Sequence, residues 1–525
     1  MKRILPIFLI VLLLLAACSE TPSLWGVMQT PTPKNPISTT TAPVTLDPEL
    51  SAVSPTESTP SATPVIPPTA TPTIYVSPTP YPTRSDAPVL YYSQSGDTLP
   101  SLAARFGVET TDISSPKDLP PTALLDPGTL LIIPQRIEGE VSPNVQLLPD
   151  SEVIFAVTAA DFNIEEFVEN AGGYLSTHRE YLGSTGWTKG YEAIERLAYE
   201  NSVNPRLLLA LLEHESHWVY SQPVDEVHKD YPMGFESQRY KGLFTQMVWA
   251  VNQVFKGYYG WRSGEITELT FADGTRLRLH PELNAGTVAL YYYFAQRHTR
   301  AEWEQLISPD SLVSFTALYG QMFGDAWTRA QQAEPLFPPG LGQPKLVLPF
   351  EVNREWAYTG GPHGAWEHDG PLAAIDFAPS TDHGGCSETK TWILSAAPGI
   401  VVRSGNGVVV VDLDGDGKEQ TGWNLLYLHV ATRDRVAEGA WVQTDDRIGH
   451  ASCEGGVATG THLHFARKYN GEWIVADGPI PFVIGGWTVH NGDKPYEGTL
   501  TRGSRVVIAD PVGQSKSVII RLPDE

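Results

Sequence analysis

Between residues 151 and 340, apolar positions recur at helical spacing, which predicts helices over Tyr191–Tyr199, Asn204–Trp218, Phe244–Phe255 and Ala285–Gln296 in a mainly α domain. After Pro344 the period changes. Short Val/Ile-rich runs such as Val408–Val411 alternate with Gly and Asp, the pattern of an antiparallel β domain spanning 345–525, and Phe337-Pro338-Pro339-Gly340 marks the boundary. Residues 88–136 read as a short strand, a Gly96-Asp97 turn, an amphipathic helix around Leu102–Val108 and a closing strand at Leu130–Ile133, a small α+β unit. Residues 19–87 are dominated by Pro, Thr and Ser and cannot bury enough apolar area to fold. As an extended polyproline tether they would reach on the order of 200 Å.

The chain has 525 residues, too many for one core, so the fold class expected is multidomain. Lys2 and Arg3 precede an apolar run from Ile4 to Leu15, shorter than the ~20 residues of a membrane span, so residues 1–18 are an expected export signal. It ends in Leu15-Ala16-Ala17-Cys18, which resembles the lipobox of bacterial lipoproteins; the resemblance implies acylation of Cys18 and anchoring of the exported protein to a membrane facing the cell wall or periplasm. Beyond Cys18 the cysteines are Cys386 and Cys453, and in an oxidising compartment such a pair is expected to form a disulfide. With 36 Lys plus Arg against 60 Asp plus Glu, the formal net charge of −24 repels nucleic acid, which is excluded as a partner.

The segment 88–136, with Ser95-Gly96-Asp97-Thr98-Leu99 and Asp126-Pro127-Gly128-Thr129-Leu130, resembles a LysM domain, which implies binding of N-acetylglucosamine-containing glycan. In the β domain, Gly361-Pro362-His363, Ala374-Ile375-Asp376-Phe377, Tyr427-Leu428-His429 and Thr461-His462-Leu463-His464 follow in order. Alternate strand residues share a face, so His462 and His464 point the same way. The four segments together resemble the lysostaphin and β-lytic family of zinc endopeptidases. That resemblance implies His363, Asp376 and His464 as zinc ligands, with a fourth position open to water, and His429 and His462 as catalytic residues that orient the water, stabilise the oxyanion and move the proton. His368 competes with His363, preceding Asp376 by eight residues rather than thirteen; the Gly-Pro-His context favours His363. His383 and His450 stand in no motif. The run Asp412-Leu413-Asp414-Gly415-Asp416 has carboxylates at calcium-like spacing, but Trp423 occupies the place of the Glu an EF-hand requires, and a hairpin turn is the plainer reading.

In the helical domain, Asn204 and Pro205 start a helix on which Leu208, Leu211, Leu212 and Glu215 share one face, while Glu213 points elsewhere. A carboxyl against apolar surface has its pKa raised, as a general acid needs. The Glu215-Ser216 pair and Gly242-Leu243-Phe244-Thr245-Gln246 resemble lysozyme-like lytic transglycosylases, with one extra residue before Gln246. The resemblance implies either a second, glycan-cleaving enzyme using Glu215, or an inactive lysozyme-like domain that binds glycan or spaces its neighbours. The expected function is thus a cell-wall hydrolase cutting peptidoglycan peptides, the alternative being a non-catalytic wall-binding regulator. Because the whole ligand set lies in 345–525, that segment is expected to bind zinc by itself.

Overall fold

The computed structural model describes residues 87–381 and 384–523; the signal, Cys18, the Pro/Thr/Ser tether up to residue 86 and His383 lie outside them. The first part pairs strands Val89–Tyr92 and Leu130–Ile133 antiparallel, with helix Leu99–Phe106 packed on one face through Leu102 and Phe106. Thr98 caps the helix by accepting the Ser101 N–H, and Gly107 ends it in the left-handed conformation. Arg105 is buried and donates to Asp97 at 2.6 Å and to the Trp261 carbonyl at 2.7 Å, tying this unit to the helical part.

The helical part carries Gly190–Asn201, Pro205–Ser216, Leu243–Ser263 and Ala285–Ala295. Helix Leu243–Ser263 runs eight residues past the Phe255 at which the sequence pattern ends. Gly257 there lies so close to helix Ala285–Ala295 that an added Cβ would come within 2.8 Å of the Ala289 Cα. Gly257 thus marks a close helix crossing, and the contact offsets the low helix propensity of glycine.

The β domain is built on a nine-stranded sheet, its strands antiparallel in the order Trp441–Val442, Gly399–Gly405, Val408–Asp412, Trp423–Leu428, Leu463–Tyr469, Leu372–Pro379, Glu355–Gly364, Val518–Ile520, with Glu472–Trp473 paired beside Leu463–Tyr469. Strand alternation divides it into two faces. Val409, Tyr427, Phe465 and Ile375 pack into one core with Leu348, Phe482 and Trp487. Val410, Leu426, Ala466 and Ala374, on the other face, belong to the core of the helical part. Trp473 Nε1 donates to the Asn201 carbonyl at 2.8 Å, and Ser202 Oγ donates to the Gly471 carbonyl at 2.7 Å. Arg262 stands where all three parts meet: it pairs with Glu472 and Asp150 at 3.0 Å each and donates to the Ser95 carbonyl.

Asp412 ends strand Val408–Asp412, and its carboxylate accepts the backbone N–H groups of Asp414, Gly415 and Gly417 at 3.1, 3.3 and 2.9 Å. The acidic run is a hairpin turn closed by its own first carboxylate.

Candidate metal centre

His464 and Asp376 are direct cross-strand partners, and His363 lies in the neighbouring strand opposite Ala374, beyond an irregular stretch of pairing. An added Cβ on Gly360 would fall 2.5 Å from an Asp376 carboxylate oxygen, so only glycine leaves the carboxylate its place. His363 Nε2 is 3.0 Å from His464 Nδ1, and each nitrogen is 3.3 Å from Asp376 Oδ1. The outer nitrogens are engaged by backbone: His363 Nδ1 donates to the Gly361 carbonyl at 2.8 Å and His464 Nε2 to the Ala365 carbonyl at 2.9 Å. Those carbonyls fix the tautomers, so the inner nitrogens present lone pairs to one another and to the carboxylate. Asp376 Oδ1 is buried and accepts no hydrogen bond.

Three acceptors brought together without a donor need a cation. With zinc-ligand bonds of ~2.0–2.1 Å, the edge of a tetrahedral site is about 3.3 Å, which the observed separations match. Burial pushes the Asp376 carboxyl up, yet His363 and His464 hold it well below the ordinary carboxylate range; burial pushes His363 down, yet the Asp376 charge raises it. His368 lies outside this cluster, its side chain 77% exposed and paired with Asp369.

Beside the cluster, the His429 and His462 rings are 4.4 Å apart, and His462 Nε2 is 3.8 Å from Asp376 Oδ1. Their Nδ1 atoms donate to the carbonyls of Glu454 at 2.8 Å and Gly460 at 2.7 Å. Nε2 of each ring is left for chemistry. Burial, reinforced by His462 and His464, lowers the His429 pKa to about 3, which keeps its imidazole neutral at pH 7 with a lone pair on Nε2. Cys386 and Cys453 form a disulfide that ties the loop supplying both carbonyls to the loop that follows strand Leu372–Pro379. Tyr496, which no motif marks, stacks on His363 with ring centroids 4.1 Å apart and forms the half-exposed rim of the cluster. His450 packs against Trp392 with ring centroids 3.9 Å apart, and its Nδ1 lies 3.1 Å from the Thr391 carbonyl.

Residues 382–475 match the profile of peptidase family M23, and residues 146–336 match that of the LasA N-terminal domain. The chain carries an M23 peptidase domain. The matched stretch of this M23 domain holds His429, His462 and His464; His363 and Asp376 precede it and join the site through geometry alone. The protease LasA of Pseudomonas aeruginosa is 24% identical over 381 residues, covering 69% of this chain and 82% of that protein. The β-lytic metalloendopeptidase of Lysobacter enzymogenes is 23% identical over 167 residues, covering 31% of this chain and 88% of its own length. Among solved structures, the M23 metalloprotease pseudoalterin matches at 22% identity over 32% of this chain and 96% of that one, with a TM-score of 0.26.

Glu215 departs from the sequence expectation. It does lie on the buried side of its helix, but Arg297 pairs with it, Tyr293 donates to it at 3.1 Å, and His214 Nδ1 stands 3.6 Å away. Burial pushes its pKa up, and His214 with Arg297 outweighs burial, leaving it at about 2 rather than the ordinary 4.5. Such a carboxylate is a buried counter-ion and not a proton donor at neutral pH. The helical period finds the face but not the guanidinium that reaches it from beyond the next helix. Gln246 is likewise structural, clamping the backbone of Met233, Phe235 and Tyr240. Because the folded pKa of Glu215 is depressed, its stabilisation is complete above about pH 4.5 and is lost as pH falls toward 2. Glu215→Gln is therefore expected to lower stability at pH 7 by about 3 kcal/mol, by stranding Arg297, and to flatten the acid limb of a urea-unfolding series across that window. An acid limb unchanged by the substitution would show that the pair carries no such weight.

Proposed function

We propose that this protein is a zinc-dependent endopeptidase that cuts the peptide part of peptidoglycan. The observation that carries this reading is the convergence of three lone pairs, on His363 Nε2, Asp376 Oδ1 and His464 Nδ1, with the buried Asp376 Oδ1 accepting no hydrogen bond among the described residues. Zinc held by those atoms would polarise the scissile carbonyl and acidify a water. His429 takes the proton of the attacking water through Nε2 and returns it to the leaving amine, while His462, beside it, accepts from the same water and orients it. Tyr496 walls the site and keeps the His363 ring in plane.

The same proposal covers the rest of the chain. Lipidated Cys18 and the tether beyond it would hold the exported enzyme to a membrane facing the wall, and the LysM-like unit would add glycan affinity. The helical domain acts here as a fixed support for the sheet, with Glu215 paired to Arg297 inside it. Full-length, zinc-loaded protein incubated with purified peptidoglycan is expected to release new amino termini and no new glycan ends, read by mass analysis of the products. A folded, zinc-loaded chain that releases no amino termini would overturn the enzyme reading in favour of a wall-binding regulator.

A further inference from the structure

The helical part projects a hairpin, strands Arg179–Leu182 and Gly186–Lys189, whose two faces differ sharply in chemistry. The inner face is anchored. Glu180 accepts the Phe244 N–H at 2.8 Å, Thr188 is buried, and Ser184 at the tip accepts from Arg196 at 2.5 Å. On the outer face, Tyr181 and Trp187 are direct cross-strand partners with ring centroids 5.9 Å apart, 67% and 71% exposed. Arg179 and Lys189, the next cross-strand pair on that face, flank them, with the Lys189 ammonium donating to the Tyr191 hydroxyl at 2.8 Å and pairing with Glu165 at 3.8 Å. Two exposed aromatics held rigidly and bordered by two cations are unusual on a chain of net charge −24.

The hairpin is also coupled to the peptidase centre. Arg196, which holds its tip, pairs with Glu200 at 2.6 Å, and Glu200 interacts with Trp366, three residues beyond His363. Glu200 lies on helix Gly190–Asn201, which packs against the face of the sheet that bears His464 and Asp376.

Resting on the peptidase reading above, we propose that Tyr181 and Trp187 form a glycan-binding platform that receives the sugar strand of peptidoglycan next to the peptide being cut. A pyranose ring presents a face of C–H groups that stacks on an aromatic ring. The free carboxylates of the stem peptides meet Arg179. A lipid surface fits less well, because the face offers two amphipathic rings and no aliphatic side chains to insert.

The test uses the full-length, zinc-loaded protein and a Tyr181→Ala/Trp187→Ala variant, with two readouts: co-sedimentation with insoluble peptidoglycan, and hydrolysis of that polymer against a sugar-free, cross-linked stem peptide. The substituted side chains are exposed, so folding should be kept, and a thermal melt checks it. Losing two stacking contacts should weaken binding to the polymer and its hydrolysis at low substrate about tenfold, leaving peptide hydrolysis unchanged. An Arg179→Glu variant should weaken polymer binding alone in the same direction. Unchanged polymer binding overturns the platform, as does an equal loss on both substrates, or a variant that changes only self-association in sedimentation velocity. If wild-type protein cleaves neither substrate, the enzyme reading fails, and co-sedimentation still decides the platform by itself.

Discussion

His464→Ala is expected to abolish both bound zinc and hydrolysis, whereas His429→Ala should keep about one zinc per chain and lose turnover by about 10²–10⁴-fold. The asymmetry follows from where each ring nitrogen points. His464 Nδ1 closes the triangle with His363 Nε2 and Asp376 Oδ1, at 3.0 and 3.3 Å, so removing it leaves two ligands. The His429 ring is 6.3 Å from that of His464 and stacks instead beside His462. Its loss opens space next to the ion without unmaking the ligand set. Metal analysis together with kcat on peptidoglycan separates the two cases. Equal zinc loss in both variants would mean that His429 also holds the ion, and the division of labour would have to be redrawn.

What was legible beforehand is uneven, for physical reasons that differ from residue to residue. The His462/His464 pair reads off a two-residue period because strand geometry alone puts both on one face. Choosing between His363 and His368 needs three dimensions: spacing admits both, but His368 falls on the exposed loop that follows strand Glu355–Gly364, while His363 is still within it. Tyr496 left no trace in the pattern, since it arrives from a separate four-stranded sheet on a turn in which its own φ is +71°. The greatest surprise is the second face of the peptidase sheet. Residues 345–525 read as a self-sufficient domain, yet Val410, Leu426 and Ala466 are covered by the helical part. A β domain expressed alone would expose that apolar face, so zinc binding by the isolated segment is no longer expected to be easily observed. A continuous apolar run such as Val408–Val411 says that both faces are buried, not by what.

The Cys386–Cys453 disulfide carries the second large expectation, because it joins the two loops whose backbone aims the catalytic rings. Glu454, next to Cys453, offers its carbonyl to His429 Nδ1, and the Ser452 N–H returns to the His429 carbonyl at 2.7 Å. On the other side the Thr461 N–H donates to the Gly385 carbonyl at 3.0 Å, and its hydroxyl to the Ser387 carbonyl at 2.5 Å, fixing the segment that presents His462. A Cys386→Ser/Cys453→Ser variant opens a loop of sequence separation 67, and loop-closure entropy of that size corresponds to about 4 kcal/mol of stability. The zinc ligands lean on Gly361 and Ala365, outside both loops, and should stay put. The expected result is a lower urea midpoint, zinc content near that of the parent, and kcat reduced tenfold or more, since a base tilted away from its water transfers protons poorly. Zinc lost in proportion to kcat would show that the bridge supports the whole metal centre rather than the aim of His429 and His462, and an unchanged kcat would show that those loops hold their geometry without it.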